Sequence, residues 1–280
     1  MRKVTIGDFE VLVLSDGTYE LDGGAFFGVV PKILWEQRIQ ADGRNMLKVG
    51  TNCLLIRDGK QTVLVETGIG SKLNDKSRSI HKNQVLLMKS FQEAGVSPNQ
   101  VDIVINTHLH FDHCGWNTYY NRDGRPVATF PNAKYYVQKG EVEHAHEQHE
   151  RDRVSYLTDN YDPLIENRQM TRLDGDAEIA PGVSVKVFPG HTRDLQVVIV
   201  RSGGMTLCYP SDLIPTTNHL DPTWVMGYDL YPLMTTASRH RFYGEAIPER
   251  WLVAFTHDHE TPLAYLEMGE KGKPVARPVE

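Results

Sequence analysis

The segment Thr107-His108-Leu109-His110-Phe111-Asp112-His113 constrains this chain more than any other stretch. It follows a short apolar run at 101–106 that reads as a buried strand. Alternation along extended backbone puts His108 and His110 on one side and turns Leu109 and Phe111 toward a core. Asp112 and His113 then fall at the turn, where Gly115 permits a sharp change of direction. Neutral imidazole and carboxylate are the ligands that suit zinc and its first-row neighbours. Spacing, ligand type and strand-end placement therefore agree on a metal site.

The remaining pattern is a layered one. Residues 3–14 alternate as a strand ending in the turn Ser15-Asp16-Gly17, and a Gly-rich aromatic loop follows. Runs at 53–57 and 62–66 flank Asp58-Gly59-Lys60 and predict a hairpin. The spacing of Val85, Leu86, Met88 and Phe91 predicts a helix over 81–94, stopped by Gly95 and Pro98. Strands are expected again at 183–188, 195–201 and 205–209, then a helix at 231–246 and a last strand at 251–255. Strands, helix, strand thus occur twice, which suggests two sheet-and-helix halves packed as one α/β domain over 1–270. The charge-dense segment at about 141–169 reads as a helical insertion or lid rather than core, and 271–280 as a loose tail.

His-X-His-X-Asp-His after a short strand resembles the metal motif of the metallo-β-lactamase superfamily. That resemblance implies an αββα sandwich with a dinuclear site along one edge of its two sheets. It also demands later ligands, and they occur in order past strand ends: Pro189-Gly190-His191, Ser211-Asp212 and Thr256-His257. Carried over, His108, His110 and His191 would hold one metal, and Asp112, His113 and His257 the other, with Asp212 bridging. The cofactor implied is two divalent ions, Zn2+ first, with Fe, Mn or Co as alternatives. Glu66-Thr67-Gly68 stands where the family usually has Asp-Thr-Gly, so the Glu66 carboxylate would hydrogen-bond a ligand histidine.

The chemistry implied is hydrolysis. Two metals about 3.5–4 Å apart would share a water whose pKa falls toward ~7 and present it as a bridging hydroxide. Asp112 and Asp212 are the expected catalytic carboxylates, with Asp112 shuttling a proton. The run THLHFDHCGWN and the spacing of the last three ligands look most like N-acyl-homoserine lactonases. Those enzymes usually carry a Tyr three residues after the bridging Asp, where this chain has Pro215. A lactone or carboxylic ester is the expected substrate. Phosphotriester, thioester or β-lactam hydrolysis is the alternative, and a non-catalytic metal- or ligand-binding sensor the remote one.

Pocket walls are expected from Phe26, Phe27, Trp116, Tyr119, Trp224 and Tyr228, although core anchoring explains these aromatics equally well. Cys114 has no separate base and is not read as a nucleophile. His144, His146 and His149 read as a solvated charged helix in preference to a secondary metal site.

Composition sets the outer bounds. Acids outnumber Lys and Arg by 36 to 30 with no basic stripe, which argues against nucleic acid. Three Cys in 280 residues exclude a disulfide scaffold and fit a reducing cytoplasm. No apolar run approaches the roughly 18 residues of a membrane span, and Asp8 and Glu10 interrupt any secretory leader. The expectation is a cytoplasmic enzyme acting on a small molecule, without nucleic acid or membrane, and compatible with a homodimer. Twelve His exceed nine Phe, and the resemblance assigns five of them to metal.

Overall fold

Most strands of this chain bury both faces, and the two faces belong to different cores. Val11, Val13, Leu54, Ile56, Val63 and Val65 pack into one cluster, whereas Leu12, Leu14, Cys53, Leu55 and Leu64 pack into another. The period of two along each strand is what separates them. The computed structural model describes residues 1–279.

The first sheet begins with β1 (Arg2–Ile6), β2 (Phe9–Asp22), β3 (Met46–Arg57), β4 (Thr62–Val65) and β5 (Ile103–Ile105). A separate ribbon, β6 (Thr118–Tyr120) with β7 (Pro126–Ala128), intervenes before β8 (Lys134–Gln138) and β9 (Met170–Leu173) complete the sheet. From β4 through β9 its neighbours are parallel, so β4, β5 and β8 end at one edge. The second sheet runs in chain order: β10 (Ala177–Ala180), β11 (Val183–Val187), β12 (Gln196–Ser202), β13 (Met205–Tyr209), β14 (Leu252–Ala254), β15 (Leu263–Met268) and β16 (Pro274–Pro278). Only β13 and β14 pair in parallel there, with the helix Pro232–Ala246 crossing between them.

Between the sheets lies the cluster that joins Val11, Ile56 and Ile105 to Val185, Val200, Leu207 and Leu252. Outside the first sheet, Leu87 and Phe91 of the helix Leu87–Glu93 and Val142 and Ala145 of the helix Lys139–Glu147 close a second core. Outside the other sheet, Phe242, Tyr243 and Ala246 close a third. The layers are helix, sheet, sheet, helix, the αββα sandwich.

Five local expectations need correction. The turn at Ser15-Asp16-Gly17 is a bulge inside β2. Asp16 is buried and its Oδ1 accepts the amides of Leu86 and Leu87 at 2.9 and 2.8 Å. It therefore caps a helix that starts at Leu87, so the helix expected over 81–94 shortens to Leu87–Glu93, and a separate helix, Asp75–His81, ends where it was expected to begin. Residues Gly23–Phe27 form a helical turn capped by Asp22, not an open loop. The segment 141–169 is helical in part but contributes Val142, Ala145, Tyr156, Tyr161 and Leu164 to a core, so it is not a detached lid. The tail expected to be loose contains β16, paired antiparallel with β15; Glu280 lies outside the described residues.

Candidate metal centre

Residues following four strand ends meet at one edge of the sandwich. His108, His110 and His113 follow β5, His191 follows β11, Asp212 follows β13, and His257 follows β14. All five imidazoles are buried, together with Asp212. The donor atoms of His108, His110 and His191 lie within 4.8 Å of one another, and those of Asp112, His113 and His257 do likewise.

Asp212 stands between the two groups. Its Oδ2 lies 3.3 Å from His191 Nε2, and its Oδ1 lies 3.4 Å from His113 Nε2 and 3.1 Å from His257 Nε2. Asp112 Oδ2 is 3.5 Å from His113 Nε2 and 3.6 Å from His257 Nε2. His110 Nδ1 approaches His191 Nε2 at 3.1 Å. His108 Nε2, His113 Nε2 and Asp212 Oδ1 are buried without a hydrogen-bond partner in the protein. Buried polar atoms are rarely left unpaired, and a cluster of them at one sheet edge fits divalent cations.

Three of the five imidazoles are held by their other side. His108 Nδ1 donates to Thr107 Oγ1 at 3.0 Å, and the Thr107 hydroxyl donates to Glu66 Oε1. His191 Nδ1 donates to Asp229 Oδ1 at 2.9 Å, and Asp229 Oδ2 accepts the Thr235 hydroxyl at 2.6 Å. His257 Nδ1 donates to the Gly50 carbonyl at 2.8 Å, while its amide donates to the Pro215 carbonyl at 2.9 Å. These contacts fix the tautomers that leave the inward nitrogens free.

The electrostatics match that arrangement. Burial, then the neighbouring imidazoles, hold His108 and His110 well below the ordinary histidine value, so both are neutral at pH 7. Burial opposes protonation of His113, but the Asp112 and Asp212 carboxylates outweigh it and raise the group. Burial also opposes the charge on Asp212, yet His113, His257 and His191 hold its carboxyl well below the usual range. The edge thus concentrates two carboxylates among five imidazoles.

Several residues sit differently from expectation. Glu66 Oε1 is 3.7 Å from His113 Nδ1, too far for a hydrogen bond, and instead accepts the Thr107 amide at 2.9 Å as well as its hydroxyl. The longer side chain acts on His108 through Thr107. Gly115 has an ordinary φ of −62°; its hydrogen is needed because a Cβ would lie 1.8 Å from the Ile69 carbonyl oxygen. A cavity of about 880 Å³ opens on the centre. Phe26 and Tyr228 line it, whereas Phe27, Trp116, Tyr119 and Trp224 do not. Phe27 stacks on Trp35 and His219, and Trp116 Nε1 donates to Asp16 at 3.0 Å. Trp224 lies under the Arg38 guanidinium, and Tyr119 is exposed on β6. His144 and His146 are engaged by Asp152 and Asp162, each at 2.7 Å.

Sequence reading missed a second layer. Tyr19 donates to Asp112 Oδ2, Asp229 holds His191, and Glu141 Oε1 accepts the Leu109 amide at 3.0 Å and the Tyr156 hydroxyl at 2.9 Å. The Tyr156 ring lies edge-on to His110 with centroids 4.8 Å apart.

Comparison with known proteins agrees with the geometry. The family model for the metallo-beta-lactamase superfamily matches residues 47–263. An N-acyl homoserine lactonase from Bacillus cereus is 24% identical over 230 residues, 77% of this chain and 84% of that protein. A probable metal-dependent hydrolase from Staphylococcus aureus superposes with a TM-score of 0.88 at 27% identity, over 99% of this chain and 100% of that one. AidC, a dizinc quorum-quenching lactonase, superposes with a TM-score of 0.83 over 100% of this chain and 97% of its own; at 22% identity the likeness is one of fold.

Proposed function

This chain belongs to the metallo-beta-lactamase superfamily, and on that premise we propose that it is a metal-dependent hydrolase that opens a lactone or cleaves a carboxylic ester. The observation that carries the reading is the place of Asp212, whose two oxygens face the two histidine groups separately. His108, His110 and His191 would hold one divalent ion, Asp112, His113 and His257 the other, and Asp212 would reach both. Bound there, the ions supply Lewis acidity and lower the pKa of a water toward about 7. The donor set of imidazoles and carboxylates suits Zn2+.

The protein's own part is orientation and proton handling. Asp112 faces the cavity, and its Oδ2 is occupied by the Tyr19 hydroxyl. Oδ1 is then the oxygen free to take a proton and return it to the leaving alcohol. Leu73, Phe111 and Met226 supply apolar wall to the cavity in which the ester would lie. The likeness to lactonases named above favours an ester or lactone bond over a phosphotriester. Among the described residues, no helix is long and apolar enough to cross a membrane.

The test is metal content by mass spectrometry, followed by assay of the zinc-loaded protein against acyl lactones, carboxylic esters and paraoxon. Lactone or ester turnover that disappears in Asp212→Ala and His113→Ala, with folding retained by circular dichroism, is the expected result. Turnover of paraoxon alone would assign the phosphotriester alternative instead. No turnover of any class, or wild-type rates in both variants, would remove the assignment.

A further inference from the structure

The cavity that opens on the metal centre is lined by three cations, Lys72, Lys76 and Arg151. None of them lies within 4.0 Å of a carboxylate among the described residues, although other lysines and arginines form ion pairs there. Beyond Asp112 and Asp212, the cavity wall holds one carboxylate, Asp152. Its Oδ2 is already engaged by His144 Nε2 at 2.7 Å. The wall outside the metal centre is therefore cationic, in a chain whose net charge is −6.

Lys72 is the most constrained of the three. It is half-buried, and its Nζ donates to the carbonyls of Gly115 and Thr118. An ammonium has three protons, so one remains for a further acceptor. Gly115 lies two residues beyond His113, which fixes this cation beside the loop that carries the centre. Burial lowers its pKa to about 8. Asp159 does not reach ion-pair distance, and its Oδ2 accepts the Tyr120 hydroxyl at 2.6 Å. Arg151 lines the same cavity and is tethered by its bond to the Gly227 carbonyl at 3.0 Å, next to Tyr228. Leu157 and Leu73 supply apolar wall to the same cavity.

We propose that the substrate is an anionic ester or lactone, one bearing a carboxylate away from the scissile bond, which Lys72 and Arg151 receive. This rests on the hydrolase reading above and narrows its substrate class. A concave wall of one sign concentrates the opposite charge, and a half-buried ammonium gains most from an acceptor that is itself ionised.

Zinc-loaded protein is assayed on mono-p-nitrophenyl adipate against p-nitrophenyl hexanoate, which differ in a terminal carboxylate, and on the shorter succinate–butyrate and longer suberate–octanoate pairs. At low salt the carboxylate-tailed ester is preferred in kcat/KM by ~10-fold in at least one pair. The preference shrinks as salt rises, because partly exposed charges are screened. Lys72→Met and Arg151→Met each lower that ratio; Arg151 is exposed, so its variant tests the idea even where loss of Lys72 impairs folding. Equal rates, or a preference for the uncharged ester in every pair, overturn the inference and leave the hydrolase reading standing. So does a preference that both variants retain. Hydrolysis of no ester or lactone at all overturns both.

Discussion

The phenol of Tyr19, in β2, donates to Asp112 Oδ2 at 2.7 Å across 93 residues of sequence. Tyr19 is buried, and its ring lies edge-on to His257 with centroids 5.7 Å apart. Burial and the Asp112 carboxylate push the phenol well above its ordinary pKa, so it remains a donor at any working pH. Tyr19→Phe removes that bond with little change in shape. The expected outcome is a second zinc ion held about 10–100-fold more weakly, the ion at His108, His110 and His191 being less affected. Competition with a chromogenic chelator reads the two steps. Equal weakening of both would assign Tyr19 a packing role only.

Asp229 offers the complementary case. Its Oδ1 takes the Nδ1 proton of His191 and its Oδ2 takes the Thr235 hydroxyl. Burial opposes protonation of His191, but Asp212 and Asp229 overcome it and raise the group. Asp229→Asn removes the charge that makes this imidazole a stronger donor to metal. Zinc affinity at the His108, His110 and His191 group should fall by ~10-fold or more. The same chelator competition should show the loss in the opposite step from Tyr19→Phe. Loss in the same step would mean that the two groups do not bind separately.

These two residues mark where the sequence stops being readable. His108, His110, Asp112 and His113 announce themselves because their spacing is local and a strand sets their direction. His191, Asp212 and His257 are legible only through the family resemblance, which demands a ligand just past each later strand. Tyr19 and Asp229 carry no such local signal: one is an aromatic within a strand, the other a loop acid 38 residues from the histidine it holds. Asp16 shows the same limit in the fold. Its Ser-Asp-Gly context looks like a turn, yet tertiary packing buries the carboxylate where it accepts the amides of Ile69, Gly70, Leu86 and Leu87. Glu141 and Tyr156 were hidden by the charged segment that contains them, since charge density alone does not show which side chains turn inward.

His219 gives a stability prediction with a definite sign. It is buried, Nε2 donates to the Phe26 carbonyl at 2.9 Å, and Nδ1 accepts the Thr216 hydroxyl at 2.8 Å. Burial, then the Arg239 charge, lower its pKa to about 3, against about 6.5 in the unfolded chain. Between those values the unfolded chain binds a proton that the folded one refuses. The contribution is therefore full above about pH 6.5 and declines as pH falls toward about 3, by at most ~1.4 kcal/mol per pH unit. His219→Gln should be less stable near neutrality but lose less on acidification. Urea unfolding of both proteins from about pH 7 to about pH 5 compares the slopes. Parallel slopes would show that His219 titrates normally.

Arg239, in the helix Pro232–Ala246, is wholly buried and makes no ion pair among the described residues. Its Nε donates to the Leu213 carbonyl at 2.7 Å, and Nη1 donates to the carbonyls of Asp221 and Trp224 at 3.3 and 2.8 Å. All three acceptors belong to the stretch that leads away from Asp212, so one guanidinium braces the backbone behind the residue that faces both histidine groups. Arg239→Met keeps much of the volume but leaves the Leu213 and Trp224 carbonyls without their donor, while the Asp221 carbonyl keeps the Trp224 amide at 2.9 Å. Each orphaned group costs about 1–3 kcal/mol, part of which is offset by no longer burying a charge. A net loss of roughly 3 kcal/mol is expected in urea unfolding. Arg239→Lys separates geometry from charge: a lysine restores the cation but not the planar fork that reaches acceptors in different directions. If the fork matters, the lysine variant unfolds nearly as early as the methionine one and its zinc-loaded form loses activity in parallel. Recovery of wild-type stability by lysine would mean that the charge alone suffices, and that the loop behind Asp212 needs no brace.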